Sequence, residues 1–130
     1  MASPEDLKFT RTHEWVRVDG DVVTIGITDH AQSELGDITY VELPEPGESV
    51  SASQPFGIVE SVKAASDIFA PVDGEVLERN DEVVDAPDLV NASPYDRAWL
   101  IRLRLADDDQ LARLMSAADY DAFAETATAH

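Results

Sequence analysis

The chain has no cysteine and only two lysines, Lys8 and Lys63, against 27 acidic residues. Without cysteine there is no disulfide, no thiolate metal ligand and no nucleophilic thiol, so any sulfur chemistry has to arrive with a cofactor. Clustered basic residues are lacking too. At a formal charge of -18 the chain offers no cationic surface for nucleic acid or an anionic membrane. Its partners have to tolerate or favour acid. Acid in such excess is also a composition suited to high salt, which screens the self-repulsion. No apolar run approaches the roughly 18 residues of a membrane span. The first residues, Met1-Ala2-Ser3-Pro4-Glu5-Asp6, are acidic where a signal peptide is basic, which points to the cytoplasm. His13, His30 and His130 show no close pairing of the kind metal motifs use. The Gly-x-Ser-x-Gly and phosphate-loop patterns are missing as well. Nothing reads as a self-sufficient active site.

What is present is a globular chain of 130 residues, 44% apolar and 28% charged. That predicts one domain, with a core over about 7–105 and a helical segment over about 107–126. Leu7-Lys8-Phe9 reads as a short strand, and Asp19-Gly20-Asp21 as the turn of a hairpin between Glu14–Val18 and Val22–Ile27. Thr28 or Asp29 caps a short helix to about Leu35, which Gly36 ends; His30 on that helix is structural. Asp37–Leu43 alternates as a half-buried strand, and Glu75–Arg79 is a further strand. The prolines at 87 and 94 predict an irregular surface loop over Asp81–Arg97. Asn91-Ala92-Ser93 matches a glycosylation acceptor in form, but the following proline and a cytoplasmic setting argue against its use. Trp99–Leu105 predicts the last strand, with Trp99, Ile101, Leu103 and Leu105 inward. Beyond it, Asp107 starts a helix that carries Leu111, Leu114 and Met115, and Ser116 with Asp119 resembles a second helix start. Strands of about five residues, broken by frequent turns, indicate a compact sandwich or barrel.

Between Pro55–Val59 and Ile68–Val72 lies the bend Glu60-Ser61-Val62-Lys63-Ala64-Ala65-Ser66-Asp67. Phe56 and Ile58 should share one face of the incoming strand. A lysine at the tip of a hairpin, in a chain so poor in lysine, is not there by abundance. It can be left alone, it can pair with Glu60 or Asp67 as an ordinary solvated ion pair, or it can be acylated and become a mobile arm. The residues alone leave all three readings open.

Further segments carry a resemblance. They include Thr12-His13-Glu14-Trp15-Val16, Thr24 through Gln32, Leu35-Gly36, Val41-Glu42-Leu43-Pro44, Gly57, Glu60-Ser61-Val62-Lys63-Ala64 and Ser66-Asp67. Later come Pro71, Gly74-Glu75-Val76, Leu89-Val90-Asn91, Pro94-Tyr95 and Trp99-Leu100-Ile101. In these segments the sequence resembles the H-protein family of the glycine cleavage system, a family of lipoyl carriers. It departs at Asp96-Arg97-Ala98, where that family commonly has glycines, and Asp81–Asp85 is unusually acidic.

The resemblance implies a mainly β, barrel-sandwich hybrid fold of the lipoyl/biotinyl type, with a short helix after the first hairpin and C-terminal helices. It implies that Lys63 carries lipoate in amide linkage, within an attachment segment of Glu60, Ser61, Val62, Ala64 and Asp67. The implied partners are a pyridoxal phosphate glycine decarboxylase, a tetrahydrofolate-dependent aminomethyltransferase, dihydrolipoamide dehydrogenase, and a lipoate ligase or transferase. The chain is then a monomeric shuttle and not an enzyme. The family is also associated with docking of the loaded arm on the protein's own surface. Glu14 and Asp67 are the carboxylates expected to face its cationic amine, with Thr12, Ile27 and Leu35 as walls. A biotin carrier would place methionines beside the lysine, where Val62 and Ala64 stand. A 2-oxoacid dehydrogenase lipoyl domain would lack the first hairpin and the terminal helices. A lipoyl relay to other enzymes, or an unmodified β-sandwich binding module, are the remaining alternatives.

Overall fold

Short alternating strands can each bury one face, and in the computed structural model they do so in two antiparallel sheets. The structure describes residues 3–128, so His130 and the first two residues of the acidic amino terminus lie outside it. In chain order the elements are β1 (Lys8–Phe9), β2 (Glu14–Asp19), β3 (Val22–Ile27), α1 (Asp29–Leu35), β4 (Ile38–Glu42), β5 (Ser49–Val50) and β6 (Pro55–Ser61). They continue with β7 (Ala65–Phe69), β8 (Gly74–Arg79), α2 (Asp81–Asp85), α3 (Leu89–Ala92), β9 (Ile101–Leu105), a 3-10 helix over Asp108–Arg113, and α4 (Ala117–Thr128). The larger sheet has the order β1-β2-β3-β9-β8-β5 and the smaller β4-β6-β7. The expected mainly β layered fold is what forms, with the sheets left open and not closed into a barrel. Among the described residues no helix is long and apolar enough to cross a membrane.

Local signals account for the first half. Gly20, at φ 64, makes the tight link between β2 and β3. Of the two possible caps, Thr28 is the one used: its hydroxyl accepts from the Ala31 amide at 3.1 Å, and Gly36 ends α1 at φ 82. In β4, a register shift between Ile38 and Tyr40 breaks the expected alternation, so that Ile38, Val41 and Leu43 are the buried positions. A second shift between Pro55 and Gly57 keeps Phe56 and Ile58 from forming a simple inward face, and Val59 is the buried residue of β6.

The second half corrects the sequence in three places. Asp81–Arg97 is not irregular, because Asn80 caps α2 by accepting from the Glu82 amide, and the prolines at 87 and 94 separate the short helices without preventing them. Val83 and Val90 hold both helices to the core. The last strand begins at Ile101 and not at Trp99: the Asn80 amide donates to the carbonyls of Arg97 and Trp99, and Leu100 is buried beside Ile101. Trp99 is only half-buried, under the Arg102 guanidinium. Met115 lies outside any helix and bridges Phe9 through paired backbone bonds of 2.9 and 2.8 Å. The second helix start is real, since the Ser116 hydroxyl accepts from the Asp119 amide. Asp96, Arg97 and Ala98 all keep negative φ, so this loop needs no glycine.

The main core lies between the sheets, around Ile25, Val41, Val59, Ile68, Leu100 and Leu103. A second cluster forms where α4 covers β1, with Phe9 and Tyr120 rings stacked 4.7 Å apart. Trp15 belongs to it. Its indole lies across Gly26, where a Cβ would come within 2.5 Å of the ring, and donates to the Pro94 carbonyl at 2.8 Å.

Glu14 ties the two sheets together. It is 1% exposed, and its carboxyl accepts from the Thr10 hydroxyl at 2.6 Å, the Thr12 hydroxyl, and the Phe69 amide of β7 at 3.2 Å. Burial raises its pKa from 4.5 to about 7, against the pull of these donors. The folded state therefore holds this proton more tightly than the unfolded chain. Its contribution to stability is complete below pH 4.5 and is lost as pH rises through about 7. His13 acts in the opposite sense: burial and the neighbouring His30 lower its pKa, so its contribution is lost as pH falls below 6.5. Denaturant unfolding at a series of pH values should show Glu14→Gln losing a downward slope worth on the order of 3 kcal/mol. Parallel profiles for the parent and this variant would remove Glu14 from the account.

Candidate functional site

Lys63 stands on the turn between β6 and β7, and the turn is fixed from inside. The Ser61 amide donates to the Ala64 carbonyl at 2.7 Å, and the Ser61 hydroxyl accepts from the amides of Lys63 and Ala64 at 3.3 and 3.2 Å. Among the described residues, positive φ outside glycine is confined to His13 and Ser53, so Val62, Lys63 and Ala64 sit at the tip without backbone strain. The turn is also held from outside. The Val62 amide donates to the Asp37 carbonyl at 3.2 Å, and the Lys63 Cε lies 3.8 Å from where a Cβ on Gly36 would stand.

The ammonium itself is left open. Among the described residues Lys63 makes no ion pair. Of the three readings the sequence left open, the solvated pair with Glu60 or Asp67 does not form, and an unpaired amine fits both a lysine left alone and one that is acylated. Glu60 lies opposite Tyr40 and Ala65, and Asp67 opposite Ile58, all on the outward side of the small sheet. Val62, beside the lysine, is 75% exposed, so one large apolar side chain stands in solvent next to the amine.

The residues expected to form a docking cleft are distributed differently from one another. Thr12 is exposed and lines a cavity of about 370 Å³ with Phe9, Phe69, Arg113 and Met115. Asp67 lines another of about 350 Å³, with Glu42, Glu48, Phe56 and Ile58. Ile27 is buried in the core, and Leu35 packs against it. The five residues thus do not line one closed cavity. Glu14 is the link, because its bond to the Phe69 amide sets it against β7 two residues beyond Asp67.

A cavity of about 720 Å³, larger than these two, is lined by Asp29, His30, Glu34, Tyr95, Tyr120 and Asp121 among others, and by no residue of the lysine turn. His13 and His30, far apart in sequence, stack with ring centroids 4.5 Å apart. This is packing and not metal geometry: His13 Nδ1 meets the Tyr120 hydroxyl at 2.7 Å, and His30 meets Glu34 at 3.7 Å. Among the described residues, the carboxylates close enough to share a metal ion are Asp107, Asp108 and Asp109, all exposed at the start of the 3-10 helix. Sequence reasoning missed the supports of the turn, Gly36 and Asp37, because their contact with Lys63 and Val62 is long-range.

A family model described as Glycine cleavage H-protein matches residues 7–127. The chain is 54% identical over 120 residues to the glycine cleavage system H protein of Staphylococcus carnosus, covering 92% of this chain and 95% of that one. It is 51% identical over 122 residues to the glycine cleavage system H protein of Carboxydothermus hydrogenoformans, covering 94% of each. Its fold is similar to the crystal structure of a glycine cleavage system H protein from Mycobacterium marinum, with a TM-score of 0.84, 37% identity, and coverage of 92% of this chain and 97% of that one. An unpaired lysine presented on an unstrained hairpin tip, in a fold and sequence so matched, places this chain in the glycine cleavage H-protein family, the carrier component of the glycine cleavage system.

Proposed function

We propose that Lys63 is the attachment point for lipoate, and that the chain shuttles the aminomethyl group of glycine between enzymes without catalysing a reaction itself. The observation that carries this reading is the exposed Lys63 without an ion pair, on a turn anchored at Ser61 and Val62. The residues fit the group: the ε-amine is free to be acylated, and Val62 and Ala64 beside it carry no competing nucleophile. When bound, the dithiolane supplies the thiol chemistry that a chain without cysteine lacks. The polypeptide holds the base of the arm still, so that the motion resides in the arm and the reach is set by its length.

The partners on this reading are glycine decarboxylase, aminomethyltransferase, dihydrolipoamide dehydrogenase, and the lipoate ligase or transferase that loads Lys63. Between partners the cationic cargo rests along the outer edge of β7, where Asp67 offers an exposed carboxylate and Glu14 a buried one. Thr12 donates to Glu14 at that end, while Ile27 lies in the core and Leu35 packs against it. A carboxylate in so dry a place attracts an ammonium more strongly than one in water. Since Glu14 gives up its proton only near pH 7, this shelter weakens as pH falls through that value.

Intact mass of the protein from its native host should exceed the translated value by one lipoyl group. Lys63→Arg should return it to that value and abolish glycine cleavage. Native protein at its translated mass, or an active Lys63→Arg variant, refutes the reading. For the docking step, Glu14→Ala should shorten the lifetime of the methylamine-loaded form about tenfold at pH 8 and by less at pH 6. Equal lifetimes at both pH values would leave the cargo sheltered by other groups.

A further inference from the structure

We propose that Asn91 is a positioning residue for the lysine turn, an inference that rests on reading Lys63 as the acylated residue. Asn91 lies in α3, far from Lys63 in sequence, and its side-chain amide is almost fully occupied. Its Oδ1 accepts from the Ile38 amide, and its Nδ2 donates to the Gly36 carbonyl and to Gln32 Oε1, each at 2.9 Å. Only this orientation works, because a flipped amide would set its donors against the Ile38 N–H. Asn91 therefore straddles Asp37, gripping the backbone on both sides of it as a neighbouring strand would.

That grip is passed on through a single peptide group. The peptide joining Asp37 to Ile38 donates its N–H to Asn91 and accepts the Val62 amide at its carbonyl, 3.2 Å away. Hydrogen bonds on opposite ends of one peptide polarise each other, so each strengthens the other. One residue earlier, Gly36 forms the bed for the Lys63 stem, with Cε 3.8 Å from its missing Cβ. Gly36 is at φ 82, a conformation that other residues hold only under strain, and Asn91 binds its carbonyl there. Asn91 thus fixes a ledge, Gly36–Ile38, on which the Val62–Lys63 tip rests.

Simple anchoring of α3 does not explain this arrangement. The helix has only four residues, and its Val90 is already buried in the core. The same amide bears on the glycosylation pattern at Asn91-Ala92-Ser93. Both Nδ2 protons are committed within the fold, so a sugar on this nitrogen would undo the ledge.

The substitution Asn91→Asp keeps size and one acceptor but turns the Nδ2 donor into an oxygen facing the Gly36 carbonyl. The test uses the unmodified full chain, lipoate, ATP and a purified lipoate–protein ligase, with acylation followed by intact mass. The expected result is a fall of about tenfold or more in kcat/KM for the variant. Amide exchange at Val62 should quicken about tenfold while Ile25 and Leu103 stay protected, and a small amine-reactive ester should modify Lys63 at the parental rate. A parental ligation rate overturns the proposal, as does exchange that quickens equally across the core strands, which marks a merely structural role. Should the variant not fold, the parent still decides: Val62 must be protected alongside Ile38, and exchange at the free-peptide rate overturns the proposal. A parent chain that takes no lipoate at Lys63 counts instead against the proposed function, while the exchange result still reports on the ledge.

Discussion

A carboxyl group buried at the seam between two sheets is the constraint on which this structure depends. Glu14 begins β2 in the larger sheet and accepts the Phe69 amide from β7 in the smaller one. Burying it costs free energy, and the hydroxyls of Thr10 and Thr12 offset part of that cost. Its neighbours point elsewhere. His13, strained at φ 71, turns to the Tyr120 hydroxyl of α4, and Trp15 reaches the Pro94 carbonyl. Three consecutive side chains therefore join the first strands to the small sheet, the terminal helix and the 80–98 segment. The Tyr120 hydroxyl closes the circuit on Thr28, the residue that starts α1.

The surface follows a different logic. Arg79, Arg97, Arg102 and Arg104 each pair with an acidic neighbour, in contacts of 2.7 to 3.9 Å between partly or fully exposed groups. Such pairs contribute little one at a time, and together they leave most of the 27 acidic residues unbalanced. A strongly negative surface repels copies of itself and draws in partners with basic surfaces over about a Debye length. Lys63 is a cation within that field, flanked by the exposed Val62 and, like Lys8, without an ion pair among the described residues.

What could be read in advance was whatever the chain encodes locally. The Gly20 turn, the Thr28 cap, the Gly36 stop and the lysine hairpin each lie within a few residues of their cause. The failures share a different origin. Prolines at 87 and 94 point to an irregular loop, but the side chain of Asn80 caps one helix and donates to the carbonyls of Arg97 and Trp99. Met115 sat at helical spacing, yet pairing with Phe9 pulled it into an extended bridge. The burial of Glu14 is not legible in the sequence, because nothing near it reveals that Phe69 will meet it across 55 positions. The same applies to Asn91, whose acceptor serves an amide 53 positions away. Local chemistry announces where the lysine stands. Only the fold reveals what steadies it.

Steadiness at that point has a physical reason. A tether delivers its far end with an error that grows with any wobble at its base, so freedom in the arm helps only if the root is fixed. A glycine at the tip would ease the turn but add backbone entropy where order is needed. This turn uses none: Val62, Lys63 and Ala64 keep ordinary φ, and Ser61 closes the turn from within. Glycine appears instead beneath the lysine, at Gly36, where its missing side chain makes room for the stem and its unusual φ is held by neighbours. Conformational freedom is thus removed from the backbone and left to the side chain. On the reading of Lys63 proposed above, such a division lets one amine serve several active sites from a single rigid platform.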